Sequence, residues 1–277
     1  MRDPPAGRVR PLRGKERDAM SILPSGPGRT LDVLVRRFHF RGMIVVKKGF
    51  RRTGDGGGGI DMELSEGLRT RRSTRVFLDT PVQKDTLRRI VESAQRAPSA
   101  GNMQPWELFA VCGETMERLR SAVNAAFEGD GAIASPGLAK PAPERYSERR
   151  RGLYREAEPF FRRIGCGGEF IPEGSFRFFG APAVVMVYVH EDLLPGRLVC
   201  CGSIMTYLTL AAHAEGLGTC AIGFVRTADR QMREVLSVPP ELAFVVAVAA
   251  GYPNPASPAN EFCSSRASVD EVCRFFD

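Results

Sequence analysis

The most concentrated chemistry in this sequence is the run Arg71-Arg72-Ser73-Thr74-Arg75. Three guanidinium groups and a hydroxyl within five residues predict an anion site, because the planar fork of arginine matches the oxygens of a phosphate. A solvated basic surface is the alternative interpretation of the same run. Arg266, far along the chain, is a candidate to complete a phosphate cage with this cluster.

A second candidate site is the segment PSAGNMQPW at residues 98–106. It lies between a predicted helix and a predicted strand, and its two prolines stiffen the loop. Asn102 and Gln104 each offer an amide donor and an amide acceptor, a pair that can bind the polar edge of a planar heterocycle. The alternative interpretation is a purely structural turn capped by the asparagine side chain.

The third candidate is GLGTCAIG at residues 216–223, which formally contains the dinucleotide-binding pattern G-x-G-x-x-A. That pattern requires a strand before the glycines and a helix after them. Here a predicted helix comes first and a strand follows, so the sequence argues against a Rossmann turn. We expect these glycines to allow a close approach of the backbone, for example to a ligand ring.

Few side chains are available for nucleophilic or metal-dependent catalysis. The chain has three histidines and seven cysteines, and no C-x-x-C pair occurs. This usage favours neither a tetrahedral zinc site nor a disulfide framework, and we predict no metal site. The cysteines are typical of small apolar residues in a reducing, cytoplasmic environment. If the protein is an enzyme, we expect a cofactor to carry the difficult chemistry.

Hydrophobic periodicity predicts the elements that must position these residues. Helices are expected over residues 64–68, 85–96, 114–127, 198–215 and 228–236, and strands over 106–112, 181–189, 219–222 and 242–250. The apolar, β-branched run at 181–189 is typical of a strand buried on both faces. This order of elements predicts a three-layer α+β domain with its helices packed on a sheet.

Charge divides the chain into a leader and a regular domain. The net charge is +7, but residues 1–61 carry +8 and residues 62–277 carry −1. The leader is rich in Arg, Pro and Gly, a composition that favours disorder. Two alternatives stay open for it: a nucleic-acid-binding arm, or a segment outside the native protein, because Met62 opens the first well-patterned stretch.

The regular domain is interrupted at about residues 128–180 by an insert rich in Gly, Pro and charge, which we predict to be a lid. No stretch of the chain has the pattern of a membrane span or a secretory signal. We therefore expect no membrane association and a cytoplasmic location. The near-neutral charge of residues 62–277 also argues against a nucleic-acid partner for the domain.

Taken together, the motifs of residues 62–277 resemble the nitroreductase family of FMN-dependent flavoproteins. The resemblance rests on five segments: RRSTRVF at 71–77, APSAGNMQPW at 97–106, FFGAPAVV at 178–185, GLGTCAIG at 216–223 and AAGYP at 249–253. It implies a central, mostly antiparallel sheet flanked by helices and a homodimer with FMN at the subunit interface. It also implies an enzyme that passes hydride from NAD(P)H to flavin and then to a nitroaromatic, quinone or related acceptor.

The resemblance further assigns cofactor contacts residue by residue. It implies that Arg71, Arg72, Ser73 and Arg75 hold the phosphate, ribityl and pyrimidine groups of FMN. Asn102 and Gln104 would reach the isoalloxazine from the neighbouring subunit. The backbone of Ala221, Ile222 and Gly223 would lie near flavin N5 and the dimethylbenzene side, and Arg266 would reach the phosphate. No catalytic side chain is implied.

The sequence also departs from the family pattern. Many relatives with a similar insert carry Pro and Gln where Ala221 and Ile222 stand, and Cys263 replaces an expected arginine. These changes predict a more apolar acceptor pocket, shaped by aromatic residues of the insert such as Tyr146, Tyr154, Phe160 and Phe161. Two alternatives stay open: a specialised member, deiodinase-like or flavin-fragmenting, and a non-enzymatic flavin-binding or regulatory protein.

Overall fold

The computed structural model describes residues 62–130 and 141–277. The leader at 1–61 and residues 131–140 of the insert lie outside the described residues, and the predictions made for them stay predictions. The described part contains eight α-helices and four β-strands. The helices are α1 (Leu64–Thr70), α2 (Lys84–Ala94), α3 (Gly113–Asp130), α4 (Glu144–Arg162), α5 (Phe170–Phe176), α6 (Leu198–Ala214), α7 (Asp229–Leu236) and α8 (Val269–Val272). The strands are β1 (Trp106–Cys112), β2 (Ala183–His190), β3 (Gly218–Ile222) and β4 (Leu242–Gly251).

The four strands form one antiparallel sheet in the order β1-β2-β4-β3. β2 is central and is buried along nearly its whole length, as its apolar, β-branched sequence predicts. In the register, Val185 of β2 lies opposite Ala110 of β1 and Val248 of β4. β3 is an edge strand, and its position decides where the candidate site lies.

Helices cover both faces of the sheet. Side chains of a strand alternate between its two faces, and β2 carries apolar residues on both. Val185 and Val187 point into a core shared with α2 and α6. Met186 and Tyr188 point into a core shared with α3 and α7. The predicted three-layer α+β architecture with a mostly antiparallel sheet is confirmed.

The described part of the insert forms helices α4 and α5, which pack against the C-terminal tail. Phe161 is only 1% exposed and lies in a small core with Ile171 and Phe262. The Phe160 ring centroid lies 5.5 Å from that of Phe262. Phe161 therefore stabilises the junction between insert and tail and has almost no surface to offer an acceptor. No helix among the described residues is both long and apolar enough to cross a membrane.

Candidate functional site

The arginine run lies along the outer edge of β3. It follows α1 directly, and the backbone N–H of Thr74 donates a 2.9 Å hydrogen bond to the carbonyl of Thr219. Ser73 and Thr219 form a parallel bridge at the same point. Two of the predicted segments, residues 71–75 and 216–223, are thus neighbours in space.

Two glycines of the segment 216–223 are explained by contacts and backbone geometry within the protein, and not by the predicted approach to a ligand. Gly216 has φ of 78° and turns the chain sharply after α6, a conformation that costs glycine little. Gly218 lies against the Thr74 side chain: a Cβ atom added there would be 2.7 Å from Thr74 Cβ and 2.9 Å from Pro253 Cγ. The close approach at Gly218 is therefore made by the protein's own arginine segment.

Asn260 in the tail binds the arginine segment through its side chain. Its Oδ1 accepts hydrogen bonds from the N–H groups of Arg75 (3.0 Å) and Val76 (3.2 Å). Its Nδ2 donates to the carbonyls of Val76 (2.7 Å) and Asn254 (3.0 Å). One amide thereby satisfies four backbone groups. We did not predict this residue, because nothing local to position 260 indicates a partner in another segment.

Arg71 and Arg75 hold guanidinium groups that are free to bind a ligand. Both residues are partly buried, yet neither side chain forms a hydrogen bond or ion pair with any residue in the described ranges. The Nε of Arg75 is fully buried, and no described residue accepts a hydrogen bond from it. Since a buried polar group without a partner is costly, this arrangement fits an anionic ligand with several acceptor oxygens, such as FMN.

Arg72 has a different environment from Arg75. Its side chain is exposed, and its Nη1 donates a 3.3 Å hydrogen bond to the carbonyl of Glu261. Arg71, Arg72, Thr74 and His213 line a surface cavity of about 480 Å³ that the tail closes from the other side. Arg75 is not among the residues that line this cavity, so the structure divides the predicted cluster.

His213, on α6, is hydrogen-bonded to the end of α1. Its Nε2 lies 2.8 Å from the Thr70 hydroxyl, and that hydroxyl donates its own proton to the carbonyl of Glu66 at 2.8 Å. The imidazole must therefore carry its proton on Nε2 and donate to Thr70. Burial lowers the pKa of His213, and the neighbouring Arg71 and Arg72 lower it further, while Glu66 acts in the opposite direction.

Ser73 and Arg75 lie near the Cys220 thiol in β3. Burial raises the pKa of the Cys220 thiol, while Arg75 and a hydrogen bond with Ser73 oppose that shift. Farther along β3, Ala221 is exposed and Ile222 is buried in the core. Gly223 is exposed, and no heavy atom lies within 4 Å of the position that a Cβ would take there. Ala221 and Gly223 are therefore accessible to a ligand beside the arginine segment. The side chain of Ile222 is not, because it packs into the core.

The loop carrying Asn102 and Gln104 is exposed and has unusual backbone angles. Gly101, Asn102 and Gln104 have φ of 61°, 53° and 48°. Gln104 Nε2 donates to the carbonyl of Asn102 (3.0 Å), and the Gln104 N–H donates to the Ser99 hydroxyl (3.0 Å). Left-handed conformations in residues other than glycine are sparsely populated and occur preferentially at functional sites. In the part of the chain that the structure describes, Asn102 and Gln104 form no hydrogen bond with any of the predicted arginines.

Arg266 is placed apart from the other predicted arginines. Its Nη1 donates to the carbonyls of Ser264 (2.9 Å) and Ser265 (2.8 Å) and to the Ser264 hydroxyl (2.6 Å). It lines a separate cavity between α4 and the tail. Arg266 and Arg71 therefore line different cavities, and the structure does not bring them together within this chain.

Comparisons with known sequences and known structures give consistent matches. A profile described as "Nitroreductase family" matches residues 68–252. Chloronitrobenzene nitroreductase of Comamonas testosteroni is 29% identical over 214 residues, covering 75% of this chain and 94% of the relative. The crystal structure of an FMN and NADPH-dependent nitroreductase, NfnB from Sphigopyxis sp. strain HMH, superposes with a TM-score of 0.70 at 26% identity, covering 78% of this chain and all of that one. A 5,6-dimethylbenzimidazole synthase of Rhodospirillum rubrum is 29% identical over 197 residues, covering 69% of this chain and 82% of the relative.

Proposed function

Because this chain belongs to the nitroreductase family, we propose that it reduces a nitroaromatic, quinone or related acceptor, with NAD(P)H as the hydride source. It is an NAD(P)H-dependent flavin oxidoreductase with FMN as its cofactor. FMN, when bound, supplies the site that takes up hydride from NAD(P)H and gives it to the acceptor. The enzymatic assignment replaces the alternative of a non-enzymatic flavin-binding protein.

The observation that carries this proposal is the pair of guanidinium groups on Arg71 and Arg75, which have no hydrogen-bond or ion-pair partner among the described residues. An arginine that only stabilises the fold is expected to bind a carboxylate or a carbonyl, as Arg163 does with Glu261 at 2.7 Å. Two partly buried arginines beside an open stretch of β3 instead match a ligand with a phosphate at one end. Arg71 and Ser73 would bind that phosphate and the ribityl hydroxyls.

Arg75 has a separate role in the proposal. Its positive charge would stabilise the negative charge that develops on the pyrimidine ring when flavin is reduced. The backbone of Ala221 and Gly223 would lie against the flavin ring, where an N–H can donate a hydrogen bond without a titrating side chain. Since the Ile222 side chain is buried, only its backbone is available to the ligand.

We propose a homodimer because several large apolar side chains are exposed on the chain. Val199 on α6 is 74% exposed, and Leu64 and Leu68 on α1 are 69% and 62% exposed. Scattered apolar residues are normal on a surface, but α1 and α6 are in contact with each other and both carry such residues. In the dimer, Asn102 and Gln104 would reach the flavin of the partner subunit. Sedimentation analysis would test this: a purely monomeric chain at micromolar concentration would contradict it.

The function is tested with the full chain and added FMN. We expect stoichiometric FMN binding with flavin absorption, and NAD(P)H oxidation that depends on a nitroaromatic or quinone. A chain that binds no FMN would refute the proposal. Halophenol acceptors test the deiodinase-like alternative.

A second candidate function follows from the similarity to the 5,6-dimethylbenzimidazole synthase. The dimethylbenzene ring of flavin with its two attached nitrogens has the skeleton of that product except for the one carbon between the nitrogens. Chromatography of a reaction containing FMN, NADPH and oxygen would detect it. Accumulation of 5,6-dimethylbenzimidazole with no reduction of added acceptors would favour this specialised activity over nitroreduction.

A further inference from the structure

A strained turn precedes β2, at the point where the insert returns to the sheet. Phe178, Phe179 and Gly180 have φ of 50°, 55° and 72°, three consecutive residues in the left-handed region. This conformation is uncommon for a bulky residue and costs free energy, so the surrounding packing must impose it. Strained backbone conformations cluster at functional sites. The contacts of the Phe179 ring therefore indicate what this turn could do.

The Phe179 ring is held from several sides. It is only 8% exposed and makes an edge contact with Phe170, with centroids 5.8 Å apart. A Cβ on Gly174 would lie 2.6 Å from the ring atoms Cδ1 and Cε1. The absence of a side chain at position 174 therefore makes the space that the ring occupies.

The face of this ring carries the guanidinium of Arg75, whose Cζ lies 5.9 Å from the ring centroid. A guanidinium over an aromatic face is attracted to it, and the attraction uses none of the five N–H donors. A carboxylate partner would bind two of those donors and neutralise the charge. An aromatic partner instead orients the cation and leaves its charge and the donors of its two Nη groups to a ligand.

We propose that Phe179 is a positioning residue for the cofactor: its ring, held by the strained turn and by Gly174, aims the Arg75 guanidinium at the flavin. This inference rests on the proposed function, because it assumes that Arg75 binds FMN. It adds a residue from the insert junction to the site, one that acts through Arg75. It also gives a reason for the left-handed turn at 178–180.

The test compares four variants of the full chain by FMN titration and by the midpoint potential of the bound flavin. Phe179→Leu removes the ring and is expected to weaken FMN binding about 3- to 10-fold, as the loss of one cation–π contact would. It is also expected to lower the midpoint potential, because the cation that stabilises reduced flavin is less well placed. Phe179→Tyr keeps the aromatic face and should restore both values toward those of the wild type.

The matched control is Phe244→Leu. Phe244 is also buried and also lies under an arginine, with Arg226 Cζ 5.8 Å from its centroid, but it is in β4. This variant should lose stability while leaving the FMN affinity and potential unchanged. Gly174→Ala displaces the Phe179 ring without removing it, and should shift both readouts in the same direction as Phe179→Leu. It keeps the proposal testable if the leucine variant does not fold.

A double-mutant cycle separates positioning from general packing. In an Arg75→Met background, Phe179→Leu should have no further effect on FMN binding or potential. The inference is overturned if Phe179→Leu behaves like Phe244→Leu, or if its effect persists in full without Arg75. Wild-type protein that binds no FMN would instead refute the proposed function, so the two failures are distinguishable.

Discussion

The side-chain oxygen of Asn260 accepts a 3.0 Å hydrogen bond from the backbone N–H of Arg75, although 185 residues separate the two in the chain. Through this bond the tail holds the arginine segment in place, and the segment in turn pairs with β3 through Thr74 and Thr219. The orientation of Arg75 thus depends on the backbone support from Asn260 and on the ring of Phe179.

Replacing Asn260 is expected to destabilise the fold. Asn260→Ala leaves two N–H groups and two carbonyls without their partner, and we expect a loss of about 2 kcal/mol or more in the free energy of unfolding. Asn102→Gly is the matched control, because Asn102 is exposed, glycine adopts its φ of 53° at little cost, and Gln104 is the one side-chain donor to its amide among the described residues. That variant should alter the flavin affinity or potential and leave urea unfolding unchanged. Equal stability of the two variants would contradict the role of Asn260.

A side chain at position 218 is expected to push the arginine segment away from β3. Gly218→Ala would overlap Thr74 and Pro253, and we expect about 1–3 kcal/mol of destabilisation together with weaker FMN binding. Gly152→Ala in α4 is the control, since its nearest neighbour is the flexible end of Arg155 at 3.9 Å. It should stabilise the protein by about 0.5–1 kcal/mol in chemical denaturation. A tolerated Gly218→Ala would show that the edge pairing is not tight.

Arg71, whose side chain has no partner among residues 62–130 and 141–277, is expected to bind the cofactor phosphate. Arg71→Ala should weaken FMN binding by about 1.5–3 kcal/mol, as expected for a charge-assisted hydrogen bond. Arg69→Ala removes an exposed positive charge only two residues away and should change the affinity little, which controls for the general electrostatic field. Fluorescence titration measures both. Identical affinities for these two variants would mean that Arg71 makes no specific contact.

His213 is expected to make the protein sensitive to acid. Because its pKa is lowered in the folded state, the unfolded chain binds more protons as the pH falls below about 6.5, the ordinary value for histidine. The stability that neutral His213 contributes is complete above that pH and declines below it. His213→Gln lacks this dependence. The free energy of unfolding measured in urea should therefore fall more steeply between pH 7 and pH 5 for the wild type than for His213→Gln. Parallel pH profiles for the two proteins would contradict this.

The same residue reports on ligand binding. The chain has three histidines, so the titration of His213 can be followed by NMR and assigned by comparison with His213→Gln. An anionic phosphate beside Arg71 would offset the positive charge that lowers the pKa of His213. Added FMN should therefore raise that pKa. An unchanged titration with saturating FMN would place the phosphate elsewhere.

Local pattern was enough to predict the elements of this fold. β2 could be recognised because its apolar, β-branched run must be buried on both faces, and α6 because its length and apolar composition exceed those of a strand. Gly216 and Pro239 mark chain reversals through their own backbone geometry. The arginine run and the family motifs were also visible in the sequence, since their chemistry belongs to short contiguous segments.

Only the tertiary structure decided which side chains of those segments pair with the rest of the protein and which stay available to a ligand. The sequence could not show that Arg72 binds the Glu261 carbonyl while Arg75 lies over Phe179, or that Phe161 is buried against Phe262. Side-chain partners of this kind come from elements far apart in the chain, and their pairing follows from how the insert and tail pack on the sheet. The residue types determined that an anion site was possible here, and the packing of the tail and the turn at Phe179 decided which guanidinium groups remain free to form it.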